Sequence, residues 1–294
     1  MNTSTIFLTA ASAGRLTATR LLIDSLRSFG GELAEAPFWI FATSPEAVHS
    51  LEDEHTHAFP LVLPEVVSAY PFGDKVAACA RAEELAPAGT RSLAWIDPTC
   101  LIVQPPVLFQ LGAGSEAAFR PVHIRNIGLP PSEPLDAFWK GIYAACGVKD
   151  IGTTVTSFVD GQLLRTYFNS HGFAINPALG LMERWYELFQ RLVRDKQFQS
   201  AACADERHQV FLFQALLSTL VATSMDPTWM RLLPDTYNYP YNLQERIPAD
   251  RRLAALNETV CFTYEERSIH PKAITGIEVR EPLRAWLGAR TAIS

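Results

Sequence analysis

The sequence predicts an α/β fold of three layers, a mostly parallel central sheet between helices. Short apolar runs alternate with helical patterns through the first third of the chain, the signature of βαβ units. The first run, TIFLTA (5–10), is β-rich and short, as suits a buried strand. The chain has 294 residues, 48% of them hydrophobic, enough for a large core. No linker, internal repeat or low-complexity segment divides it, so residues 1–294 read as a single domain.

Each element follows from local pattern. After TIFLTA a small polar loop, ASAGR, leads into a helix with apolar positions at Leu16, Leu22, Ile23, Leu26 and Phe29, stopped by Gly30-Gly31. PFWIFAT (37–43) reads as the second parallel strand and FPLVLPEVV (59–67) as a third. DKVAACARAEEL (74–85) is a helix that Pro87 and Gly89 stop, with Lys75 as a solvated first-turn residue. SLAWI (92–96) is the next strand. LPPSEP (129–134) cannot continue any regular element, so about 120–166 forms a loop-rich insertion around one helix near 135–145, of the kind that shapes pockets. GFAIN is strand-like, and Asn176-Pro177 supplies an N-cap and a first helical position. The helix beyond it places Met182, Trp185, Phe189 and Leu192 on one face, with Trp185 and Tyr186 as packing residues. A further helix opens near Asp205 and buries Val210, Phe213, Leu217 and Leu220. ETVCFTYEE (258–266) is a late strand.

Composition narrows the function. With 25 basic against 31 acidic residues the net charge is −6, and no basic stripe could release counterions from a phosphate backbone, so nucleic acid is not expected as a partner. Five widely spaced cysteines without a CxxC pair read as reduced, buried thiols. The N-terminal MNTSTIFLTAASAG lacks a basic n-region, and its apolar core from Ile6 to Ala11 is short. It reads as a strand rather than a signal peptide, and a cytoplasmic protein with no membrane span is expected.

SLAWIDPTCLIVQPP (92–106) carries the most specific local pattern. An apolar run ends at Asp97, and ligands of open α/β sheets bind beyond the carboxyl ends of strands. A carboxylate there suits a hard divalent metal. Asp97 before Pro98 also suits a plain turn.

Three stretches together resemble nucleotide-sugar glycosyltransferases of the A-type (GT-A) fold: WID-x-T followed by an apolar run and PP, the upstream helix DKVAA, and YFNSHGFAINP. The resemblance spans roughly residues 5–265 in element order. It implies transfer of a sugar from a nucleoside diphosphate sugar to an unidentified acceptor. In that family a strand ends in Asp-x-Asp, whose carboxylates hold Mn²⁺ or Mg²⁺ against the diphosphate. Matched position by position, Asp97 is the first acid and Thr99 stands in the place of the second. The motif is degenerate, and a hydroxyl is a poor ligand for a hard dication.

The resemblance implies further residues. Thr9, Ala10 and Ala11 would hold the nucleoside; Asn169 and Ser170 would bond sugar hydroxyls; Asp205 or Glu206 would contact the sugar or act as a base. His270 would join Asp97 as a metal ligand, with Lys272 near the phosphate. Read from the residues alone, Asp205 is equally a helix N-cap, and His171 is a lesser candidate beside Asn169. Tyr237, Tyr239 and Tyr241, in LPDTYNYPYN, suit a stacking wall or a packed loop about equally. Two alternatives stay open: a GT-A-like binding or scaffold protein that has lost catalysis, which Thr99 favours, and an α/β nucleotidyltransferase, whose Gly- and Lys/Arg-rich phosphate loop is missing.

Overall fold

The computed structural model describes residues 5–291; the first four residues of the N-terminal stretch lie outside them. The chain opens with β1 (Thr5–Ala10), α1 (Leu16–Phe29), β2 (Phe38–Ala42), β3 (Thr56–Pro60), a single turn α2 (Glu65–Ser68), α3 (Gly73–Leu85) and β4 (Ser92–Ile96). A short β5 (Cys100–Ile102), β6 (Ala117–Pro121), α4 (Ala137–Cys146), and the hairpin β7 (Thr154–Thr156) with β8 (Leu163–Arg165) follow. Next come β9 (Phe168–Ile175), α5 (Leu181–Arg194), α6 (Lys196–Ala202) and α7 (Glu206–Ser224). The chain closes with β10 (Met230–Leu232), β11 (Tyr239–Pro240), β12 (Cys261–Thr263) and α8 (Leu283–Arg290).

Seven strands form the central sheet in the order β10-β6-β9-β4-β1-β2-β3. All neighbours are parallel except β9, which runs antiparallel to both β4 and β6. β1, β2 and β4 are buried at every position, which is why they read as unbroken apolar runs. One face packs on α3, α5 and α7 through Leu8, Trp95, Val76, Trp185 and Phe213. The other packs on α1 through Phe7, Ile40, Leu22 and Leu26. A second, three-stranded sheet, β11-β12-β5, covers a smaller core with α8.

One expectation changes and one open choice closes. The third strand ends at Pro60, and residues 61–67 leave the sheet, with Val62 89% exposed. Pro64 has no N–H to continue a ladder and instead opens α2. Tyr237, Tyr239 and Tyr241 are buried, so they pack the cores rather than form a stacking wall. The Tyr237 hydroxyl accepts from the Leu108 N–H, and Tyr239 and Tyr241 lie in the core of the small sheet. All five cysteines are free and buried. Among the described residues, no helix is long and apolar enough to cross a membrane.

Candidate active site

Asp97 follows β4 and shares the strand face of Trp95, two residues before it. Its N–H donates to the His171 carbonyl at 2.7 Å, and its carbonyl accepts from Cys100 at 2.9 Å, closing a turn around Pro98. Within the turn, Asp97 Oδ1 accepts from the Thr99 N–H at 3.2 Å and the Thr99 hydroxyl at 2.9 Å. Asp97 is therefore a turn former, as its sequence allows. Its other oxygen, Oδ2, faces Lys75 Nζ at 3.9 Å.

Lys75 is not the solvated residue that its place in a first turn suggests; it is buried. α3 delivers it onto the aromatic faces of Trp95, 4.7 Å from its ammonium, and Phe213, at 5.2 Å. The ammonium donates to the Ser170 carbonyl. Burial pulls the Lys75 pKa down, against the pull of Asp97. Burial alone would raise the Asp97 carboxyl, but the Lys75 ammonium, with His171 and Thr99, brings it below its ordinary value.

β9 supplies the facing wall. The Asn169 side chain accepts from the His171 N–H at 2.9 Å and lies 3.0 Å from His171 Nδ1. His171 Nε2 stands 3.1 Å from Glu265, and that hydrogen bond holds the Glu265 carboxyl below its usual range. The His171 ring stacks on buried His123, centroids 5.8 Å apart. Ser170 Oγ donates to Gln214 of α7 at 2.9 Å.

These groups enclose a cavity of about 300 Å³, walled by Lys75, Asp97, Thr99, Ser170 and His171, by Phe213 and Gln214 of α7, and by Glu265 and Glu266. A second cavity, about 460 Å³, lies beyond the carboxyl ends of β1 and β2 against Ala11, Ser12, Thr43, Leu61, Tyr70 and Asp74. Arg15 and Phe72 line both.

Of the residues singled out in sequence, Asp97 and Ser170 line the first cavity and Ala11 the second. Asn169 is buried behind His171, and Thr9 and Ala10 are buried within β1. Asp205 caps α7, accepting from the His208 N–H, and with Glu206 lies at the exposed end of that helix. Neither lines either of these two cavities; Gln214, nine residues on, lines the first, which at 1.5 Å per residue is about 13 Å along the axis. His270 is buried, its Nδ1 accepting from the Lys272 N–H at 3.2 Å, and also lines neither cavity. Sequence reading passed over Arg15, Gln214 and Glu265 and misread Lys75. The available signal was a polar residue inside an apolar helical stretch, VAACA after Lys75 and FLFQALL around Gln214.

The donor set can be tested against a dication, which takes about six oxygen ligands at short range. Asp97 Oδ1 is engaged by Thr99, Oδ2 faces an ammonium, and Glu265 is engaged by His171. Among the described residues, no three His, Cys, Asp or Glu side chains converge as a metal cage. The described side chains alone therefore form no closed cage for a divalent cation.

The Rhodobacterales glycosyltransferase domain matches residues 7–224, from β1 to the end of α7. The chain belongs to this glycosyltransferase family. The matched segment carries every cavity wall named above except Glu265 and Glu266. Solved structures of the galactosyltransferase LgtC agree with the fold. One, with donor and acceptor sugar analogs, has a TM-score of 0.55 at 14% identity, covering 99% of this chain and 97% of that one. Another, of an LgtC active-site mutant with glutamine changed to glutamate, has a TM-score of 0.54 at 12% identity over the same shares. The glycosyltransferase is thus of the GT-A fold. No curated protein sequence matches it.

Proposed function

We propose that this glycosyltransferase moves a sugar from a nucleoside diphosphate donor that spans the two cavities, with the acceptor entering over the first. One observation carries the reading: within a glycosyltransferase domain, a buried ammonium, an imidazole and an amide side chain meet in a cavity beside the end of β4. The nucleoside lies in the second cavity, where the small side chain of Ala11 lets the backbone come close. Arg15, lining both cavities, and Lys75 meet the diphosphate. Ser170, Gln214 and His171 read the sugar, with Asn169 setting the His171 ring. LgtC, whose fold is shared, has a glutamine named as an active-site residue; Gln214 is the glutamine that faces this cavity. Asp97 holds Lys75 in place, and Asp205 caps its helix.

In the transfer, the bond between anomeric carbon and diphosphate oxygen breaks with its electron pair on the diphosphate. The acceptor oxygen bonds to that carbon and gives up its proton to a base. Preorganised cations at the departing oxygens lower the barrier because their orientation precedes the reaction. Calorimetry against a panel of UDP- and GDP-sugars tests the reading: binding of at least one donor is expected, and no binding to any would overturn it. The engagement of Asp97 by Thr99 favours a second reading, a donor-binding protein without turnover. Release of free nucleoside diphosphate in the presence of acceptor sugars separates the two.

A further inference from the structure

We propose that the Lys75 ammonium, rather than a divalent cation, supplies the counter-charge for the donor's diphosphate, so that this protein binds nucleoside diphosphates without metal. The inference rests on the donor reading above and concerns the chemistry of that same site.

Three observations carry it. The place where a GT-A carboxylate pair would hold a dication is already filled by an ion pair, with Lys75 Nζ 3.9 Å from Asp97 Oδ2. A dication there would face a like charge at short range. Secondly, the remaining oxygen of Asp97 is tied to Thr99, and Thr99 occupies the position from which a second carboxylate would reach. The turn is built to orient one carboxylate toward Lys75, not to present two toward a metal. Thirdly, the ammonium is anchored without being used up. An ammonium has three N–H donors; one is on the Ser170 carbonyl, and Asp97 stands at ion-pair distance, beyond hydrogen-bond length. The rings of Trp95 and Phe213 hold the cation in place without taking a hydrogen-bond donor from it. Lys75 also lines the cavity, so the donor left over has an anion to meet. On the facing wall His171 Nε2 is engaged by Glu265, leaving Lys75 and Arg15 as the lysine and arginine that meet a diphosphate in this cavity.

The experiment titrates UDP and GDP into the full chain, once in excess EDTA and once in Mn²⁺, with electron paramagnetic resonance following free Mn²⁺ in parallel. The expected result is equal affinity in both media and a Mn²⁺ signal that the protein leaves unchanged. The charge-neutral double substitution Lys75→Met with Asp97→Asn should weaken binding by about tenfold or more, the size of one charge-assisted contact. Thermal melting checks that this variant folds; if it does not, the wild-type comparison decides alone. Binding that EDTA abolishes and Mn²⁺ restores would overturn the inference while keeping the donor reading. A folded double variant that binds as wild type does would also overturn it. No binding of either nucleotide in either medium would bring down the donor reading and this inference with it.

Discussion

Two buried cations serve this sheet, Arg120 and Lys75, and they are held in different ways. Arg120, on β6, is 1% exposed and stacked on Phe158 at 4.4 Å. Its guanidinium donates to the carbonyls of Tyr237 and Asn238 at 2.7 and 2.8 Å and to Asp235 at 3.2 Å. Lys75 is 2% exposed and likewise stacked on aromatic rings, yet it has one carbonyl and a carboxylate at ion-pair distance, and it faces a cavity. Burial lowers both, Arg120 to about 10. The first cation ties a strand to a loop; the second is held in readiness for an anion. Burial of a charge alone does not mark a functional site. The unfilled donor capacity beside a cavity does.

Arg120→Met tests the structural side and should have the largest effect. It strips two carbonyls of their buried partner and should cost about 3–5 kcal/mol of stability, read from the urea unfolding midpoint. Activity should fall only with the folded fraction. Lys75→Met tests the other side. It should lower kcat/KM roughly 10²- to 10³-fold, as expected for loss of one preorganised donor, with a much smaller change in the unfolding midpoint when Asp97→Asn accompanies it. If the two variants exchanged signatures, the distinction between the cations would collapse.

His123 lies between the two regions, beside Arg120 and stacked on His171. Burial, then Arg120 and His171, push its pKa well below 6.5. In the window between that depressed value and about 6.5 the unfolded chain holds the proton and the folded chain does not, so stability rises with pH. His123 thus contributes stability that is full above the window and lost as pH falls through it. Melting curves from pH 7 downward should show that loss, and His123→Phe should flatten it. A slope unchanged by the substitution would assign the acid sensitivity elsewhere. The smallest effect belongs to Asp205→Ala. It removes a helix cap, so the melting temperature should drop modestly, and kcat/KM should fall far less than in Lys75→Met. A loss as large as that of Lys75→Met would instead support the catalytic role that the family resemblance implies for Asp205.

How much of this was legible depended on how far away the causes lay. β1, α1, β2, α3 and β4 were readable nearly to the residue, because each is set by a local apolar run or period and closed by Gly or Pro. The stretch 59–67 was misread because an apolar run looks like a strand whether or not its prolines can join a ladder. Asp97 was legible as the end of a strand. Lys75 was not, since its burial is created by Trp95 and Phe213, which the sequence separates from it and the fold brings over it. The tyrosines of 237–241 stayed open between a stacking wall and packing, their segment being irregular locally and covered only once the cores around the small sheet pack. Asp205 had two local readings, and contact with the cavity falls to a different turn of α7.

The placement of β9 has a consequence for how the chain is made. Its antiparallel insertion between β4 and β6 joins residues 93–96 to 172–175, so the ladder waits on everything between them. Pairings that distant form late, because closing a long loop must precede them. Until then the nascent sheet of β1 to β4 presents SLAWI as a bare apolar edge, with the Lys75 ammonium lacking its Ser170 carbonyl. Such an edge is a template for pairing with another chain. The strand that walls the cavity is therefore also the strand that, once paired, closes this edge to other chains.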